Sequence, residues 1–277
     1  MARCTVPEAE EILDREYPVL DHGFVRLIDY LGSDERIVEA ARVSYAGGTR
    51  TVRENRGLIR YLLRNDHTSP FEQVNFTFHL KMPIFVARQW LRHRTARINE
   101  VSGRYSVMAE EFYLPDGAHI ALQSEDDKQG RAPEPMEPEL RSRITEMLAE
   151  EQRRSYATYR ELIDLGLARE LARIDLPLSL YTQFYWQMDL HNLFHFLRLR
   201  MDAHAQYEIR AYANTLFEIA STVTPTACEA FEDYVLGSTR LSRSETEAVR
   251  RLMRGEPPGL TGKDLERFRQ KLEEHPE

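Results

Sequence analysis

From residue 74 the chain alternates in character: Val74, Phe76, Phe78 and Leu80 are apolar, while Asn75, Thr77, His79 and Lys81 between them are polar. A period of two places the first set on one face of a half-buried strand. Pro83 then stands where the first turn of a helix tolerates proline, and PIFVARQWLRHR reads as a helix ending near Arg94. Arg88 and Arg92 are four apart, as are Gln89 and His93, so each pair shares a helix face. The segment TARINEVSGRY reads as a loop that carries Asn99, Glu100, Ser102, Gly103 and Arg104 into the same neighbourhood. Gly103 permits close backbone approach to a ligand, or a positive φ.

The same reading extends along the chain. GFVRLIDYL at 23–31 reads as a strand, and Ser33 is placed to cap a helix through ERIVEAARVS. Leu58, Ile59, Leu62 and Leu63 signal a second helix, followed by the loop DHTSPFEQ and, after Arg104, a short extended EFYLP. Residues 123–139, QSEDDKQGRAPEPMEPE, are proline-rich, acidic and short of large apolar residues, the composition of an exposed insert. A long helix is expected from Glu139 to Leu165, closed by Gly166. YTQFYWQM fits either an aromatic strand or a buried helical turn. Helices then follow in DLHNLFHFLRLR, HAQYEIRAYANTLFEIAS and PTACEAFEDYVL. The expectation is an α+β chain with one domain over 1–237 and a charged helical tail over 238–277, either a surface appendage or a subunit contact.

Composition narrows the class. With 277 residues, 42% hydrophobic and 30% charged, the chain can bury a substantial core. The N-terminus carries acids where a signal peptide needs an apolar stretch, and no run approaches a membrane span, so a cytoplasmic protein with no membrane partner is expected. Cys4 and Cys228 support neither a disulfide framework nor a zinc cluster. Five arginines and His93 crowd positions 88–104 of a chain whose net charge is -8. Such crowding calls for a local anionic guest, and a phosphorylated ligand is the natural candidate.

Arg-His-Arg alone reads as a solvated helix end. The longer string RHRTARINEVSGRY resembles the signature of the flavin-dependent thymidylate synthases, in which Arg-His-Arg is followed after seven residues by serine: here Arg92, His93, Arg94 and Ser102. HTSPFEQVNFTFHLKMPIFVARQW resembles the family's flavin and folate region, and ARIDLPLSLYTQFYWQMDLHNLFHFLRLRMDAHAQYEIR the second half of its active site. The resemblance runs in one order over roughly residues 20–235.

The resemblance implies a central, mostly antiparallel sheet flanked by helices, a homotetramer with sites between subunits, and reductive methylation of dUMP to dTMP. FAD reduced by NADPH would carry the hydride, and methylenetetrahydrofolate the one-carbon unit. It assigns Gln89, Trp90, Leu91, Arg92, Glu100, Val101, Ser102, Gly103, Arg104, Arg173 and Arg200 to dUMP, and Ser69, Glu72, Arg92, His93, Arg94, Glu100, Asp189, His191 and His195 to FAD. His67 would approach the folate. Arg200 would activate the uracil by stabilising charge that develops on the ring.

The residues themselves bear on the alternatives. A covalent route through cysteine needs a thiolate in an electropositive setting, and Cys228 in TACEAF has no basic neighbour in sequence. Ser102 as a nucleophile would need a positioned base, and it is better read as a phosphate-side ligand. Asp189, His191 and His195 stand where some family members carry Asn, Arg and Asn. Asp189 also suits a helix N-cap, and His191 and His195, four apart, invite a metal reading with His204 that no fixed carboxylate or HExxH context supports. No GxGxxG follows a strand, so a Rossmann domain is not supported. A nucleic-acid-binding module is opposed by the pI near 5.7.

Overall fold

A computed structural model describes residues 5–43, 52–125 and 130–273; Cys4, Ser44 and residues 126–129 of the insert lie outside this range. After a short α1 (Pro7–Glu10), β1 (Glu16–Val19) and β2 (Gly23–Leu31) pair antiparallel. The helices α2 (Asp34–Arg42), whose first turn is capped by the Ser33 hydroxyl, and α3 (Val52–Arg64) follow. Next come β3 (Asn75–Pro83), α4 (Ile84–Trp90) and β4 (Arg97–Glu100). The insert forms a hairpin of β5 (Ala121–Gln123) and β6 (Arg131–Pro135) before α5 (Pro138–Asp164). The remainder is α6 (Arg169–Ala172), β7 (Tyr181–Asp189), α7 (Leu190–Arg200), α8 (Tyr207–Val223), α9 (Pro225–Phe231), α10 (Arg243–Met253) and α11 (Gly262–Glu273). Among the described residues no helix is long and apolar enough to cross a membrane.

The main sheet runs β1-β2-β3-β7-β4, with every neighbouring pair antiparallel. This is the expected α+β architecture. YTQFYWQM resolves as a strand because Phe184, Trp186 and Met188 are buried on the face that also buries Phe76, Phe78 and Leu80. The helices α7 and α8 cover that face with Leu193, Phe196, Leu197, Tyr212 and Leu216. At the centre Trp90 lies 4.3 Å from Phe196 and 4.9 Å from Trp186, ring to ring. Each such side chain withdrawn from water contributes about 1.5–3 kcal/mol, so this aromatic knot is the main anchor of α4 and α7 on the sheet.

Two boundaries differ from the sequence pattern. The helix α4 ends at Trp90 rather than near Arg94, and the bonds from Arg92 N–H to Gln89 O and from His93 N–H to Trp90 O tighten the exit into a turn. The loop TARINEVSGRY contains a strand, with Arg97 opposite Gln187 and Glu100 opposite Phe184. The open edge of β7 supplies the partner groups for it. All four β4 residues are exposed, so the strand carries no apolar alternation by which sequence could mark it. Elsewhere Gly166 closes α5 at φ +87°, with Leu167 N–H returning to Leu162 O. In the tail, Ser242 and Glu245 cap α10 reciprocally, Lys271 of α11 pairs with Glu245 at 2.8 Å, and Ala248 and Phe268 are buried.

Candidate active site

Asp189 closes β7 and opens α7. Its carboxylate accepts from Asn192 N–H at 2.9 Å and from the Asn192 side chain at 2.7 Å, so the strand passes into the helix without a loop. Phe194, Phe196 and Leu197 then turn into the core while Asn192, His195 and Leu199, spaced three and four apart, share the outward face with Arg200 beside them. Against this face lies the exit of α4. Together Arg92, His93, Arg94, Thr95, Met188, Asn192, His195, Leu199 and Arg200 line a cavity of about 550 Å³.

Inside it Arg200 Nε donates to Nε2 of His93 at 3.0 Å. The His93 ring also meets Phe196 edge-on at 4.8 Å and His195 at 6.1 Å. Burial, the Arg200 guanidinium and His195 together push the His93 pKa down to about 4, so near neutral pH it is an uncharged acceptor. Burial also lowers the Arg200 pKa. Three arginines around planar rings make a pocket suited to a flat, anionic group. Phe71 packs on Phe194 with ring centres 6.4 Å apart, which holds the turn carrying Ser69 and Glu72 against α7. His67 is exposed, its ring edge-on to Tyr61 at 5.8 Å.

A second cluster forms at the other end of β4. Glu100 accepts from the Thr182 hydroxyl, and Val101 N–H continues the ladder to Gln183 O at 2.9 Å. Ser102 Oγ accepts from Arg104 N–H at 3.3 Å in a tight turn. A Cβ on Gly103 would stand 3.2 Å from Arg173 Cδ and 2.9 Å from Met108 Sδ, so the glycine is what admits Arg173 against the turn. Close approach, and not a positive φ, is therefore its role. Arg104 pairs with Glu170 at 3.2 Å, with both side chains more than half exposed.

The two clusters are far apart within one chain. Met188 borders the first, Gln183 anchors the second, and five residues of strand between them span about 17 Å. Gln89 belongs to neither by direct contact, since its side-chain amide bonds Gln206 at the start of α8.

Several expected residues are placed differently. Trp90 is completely buried in the aromatic core, so residue 90 can offer a nucleotide only backbone. Asp189 spends its carboxylate on the helix cap, and the cavity is walled by Asn192 rather than by Asp189 or His191. Thr95, Met188, Asn192 and Leu199 were not singled out from sequence; for Asn192 and Leu199 the signal was their helical spacing from His195. Cys228 is buried, and burial pushes its thiol up to about 12. Among the described residues no group of three or more His, Cys, Asp or Glu is arranged to hold a metal ion.

Comparison with known proteins converges on one family. Residues 26–226 match the model described as thymidylate synthase complementing protein, and residues 239–277 that of the thymidylate synthase ThyX C-terminal domain. A flavin-dependent thymidylate synthase of Treponema denticola is 61% identical over 260 residues, spanning 94% of this chain and 98% of the relative. That of Ruegeria pomeroyi is 50% identical over 275 residues, 96% and 91% of the two chains. Among solved structures, the UMP/dUMP methylase PolB of Streptomyces cacaoi bound with 5-Br dUMP is 34% identical and superposes with a TM-score of 0.72 over 79% of this chain and 98% of that one. The chain is thus an enzyme that belongs to the flavin-dependent thymidylate synthase family.

Proposed function

We propose that this enzyme reductively methylates dUMP to dTMP, with methylenetetrahydrofolate as one-carbon donor and NADPH as the source of reducing equivalents. Family membership supports the reaction, and the 34% identical methylase bound with 5-Br dUMP supports the substrate. The observation that carries the chemistry is Arg200, a partly buried guanidinium bonded to a neutral His93 in a cationic cavity. The three arginines of that cavity suit an anionic flavin, and FAD when bound would supply the hydride that completes the methyl group. Arg92, His93, Arg94, Asn192 and His195, with Ser69 and Glu72, would hold it, and Glu100, in the second cluster, would reach it only from a neighbouring subunit.

Arg200 uses Nε on His93, which leaves the terminal nitrogens as its donors toward a uracil. A donor pair fixed before the reaction stabilises charge developing on the ring without reorganisation. Ser102, Gly103, Arg104 and Arg173 would take the phosphate with backbone N–H groups and guanidinium forks. These residues lie about 17 Å along β7 from the Arg200 cavity, a long reach for one nucleotide within a single chain. That separation supports a site completed by a second subunit, as in the homotetramer that the family resemblance implies. A thiol pushed up to about 12 opposes a covalent route through Cys228.

The test is the visible spectrum of the purified enzyme together with dTMP formation from dUMP, methylenetetrahydrofolate and NADPH. Flavin absorption and dTMP are expected; a protein that neither binds added FAD nor forms dTMP with it refutes the reading.

A further inference from the structure

Glu208 lies in the first turn of α8 and is 1% exposed. Its Oε1 accepts from the Tyr113 hydroxyl at 3.0 Å and from Arg131 Nη2 at 2.5 Å, and its Oε2 accepts from Gln206 Nε2 at 2.8 Å. Burial would raise its pKa, but the bonds from Arg131 and Gln206 outweigh burial and hold it below the ordinary carboxylate range. An ionised carboxylate only accepts hydrogen bonds. Gln206 must therefore turn Nε2 toward Glu208 and Oε1 away from it. That Oε1 accepts from Nε2 of Gln89, so the chain of donors runs in one direction from Gln89 to Glu208.

A glutamine amide on its own can be reversed with little cost, exchanging acceptor for donor. Here reversal at Gln89 would set its carbonyl oxygen against that of Gln206. We propose that Glu208 is a positioning residue for the nucleotide: acting through Gln206, it sets which atom of the Gln89 amide faces the ligand. Arg131 comes from β6, so a partly buried ion pair ties the acidic insert to the start of α8, where Gln206 meets Gln89 of α4. The inference rests on the reading of Gln89 as a dUMP contact. A purely structural role for Glu208, as a charge at the start of α8, makes different demands.

The experiment measures dUMP affinity by titration, and kcat at saturating dUMP, in the full-length enzyme with FAD bound. Glu208→Gln can donate to Gln206 and so removes the fixed direction; Gln206→Leu breaks the chain while sparing the bonds of Glu208 to Tyr113 and Arg131. Each is expected to weaken dUMP about three- to tenfold, the equivalent of one hydrogen bond, with kcat little changed. Glu208→Gln should add nothing when Gln89→Leu is already present. An equal further loss in the Gln89→Leu background, or unchanged affinity in Glu208→Gln where Gln89→Leu alone weakens binding, overturns the proposal. Unchanged affinity in Gln89→Leu itself overturns the dUMP contact on which it rests, and FAD content with dTMP turnover shows separately whether the enzyme assignment stands.

Discussion

Arg200 donates to His93 across 3.0 Å, joining the last turn of α7 to the residue three beyond the end of α4. A protonated His93 could not accept that bond and would set a cation beside the guanidinium. With burial the first cause and Arg200 the second, the folded pKa of about 4 lies below the ordinary 6.5. Between those values the unfolded chain binds a proton that the folded chain refuses. Stability is therefore unaffected by this group above pH 6.5 and falls as pH drops toward 4.

His93→Gln, which can keep an acceptor for Arg200 but cannot titrate, should lose less stability over that window. The difference is expected to be no more than about 2 kcal/mol, because the histidine remains partly exposed to solvent. Urea unfolding of both proteins at pH 7 and at pH 5 measures it; identical pH dependence would show that His93 does not carry the linkage.

For Arg200 itself, Arg200→Ala should reduce methyl transfer at least ~10²-fold, the scale for removing one preorganised donor to a developing anion. Arg200→Lys should recover little, since an ammonium cannot both bond His93 as Nε does and present a planar fork. Reduction of enzyme-bound FAD by NADPH should persist. Stopped-flow reduction beside single-turnover dTMP formation separates the outcomes: if both rates fall together, Arg200 holds the flavin or the fold.

Cys228→Ala should leave turnover within about an order of magnitude, because a buried thiol pushed up to about 12 supplies almost no thiolate. Ser102→Ala should weaken dUMP binding more than it slows the chemical step, as expected for a ligand that binds substrate and transition state alike. Steady-state kinetics with matched FAD content tests both. Abolished turnover in a folded, flavin-loaded Cys228 variant would restore the covalent route.

Arg104→Ala should weaken dUMP by about 1.5–3 kcal/mol while FAD stays bound, since a hydrogen bond between charged groups is lost and the exposed pair with Glu170 holds little in reserve. If the site combines two subunits, mixing chains that carry Arg104→Ala with chains that carry Arg200→Ala should give oligomers more active at subsaturating dUMP than either variant alone. Sites built from two subunits then include some that combine the intact halves. No recovery in verified mixed oligomers would place the two clusters in one protomer's site.

Local chemistry made much of this molecule legible in the sequence. The Ser33 cap, the Asp189 cap and the Gly166 closure each depend on neighbours within a few residues, and the strand at 23–31 on its own alternation. The arginine motif likewise announced an anionic site without any knowledge of the fold. Tertiary structure decided what depends on partners far along the chain. The strand β4 exists because β7 offers an open edge, not because of its own pattern. Trp90 belongs to the core because Trp186 and Phe196 meet it there, although its sequence neighbours point toward ligand. The choice of Asn192 over His191 as cavity wall follows from how α7 is rotated by the burial of Phe194 and Phe196. The bond between His93 and Arg200 spans 107 residues, and only the packing of α7 against the exit of α4 brings a neutral imidazole within reach of that guanidinium.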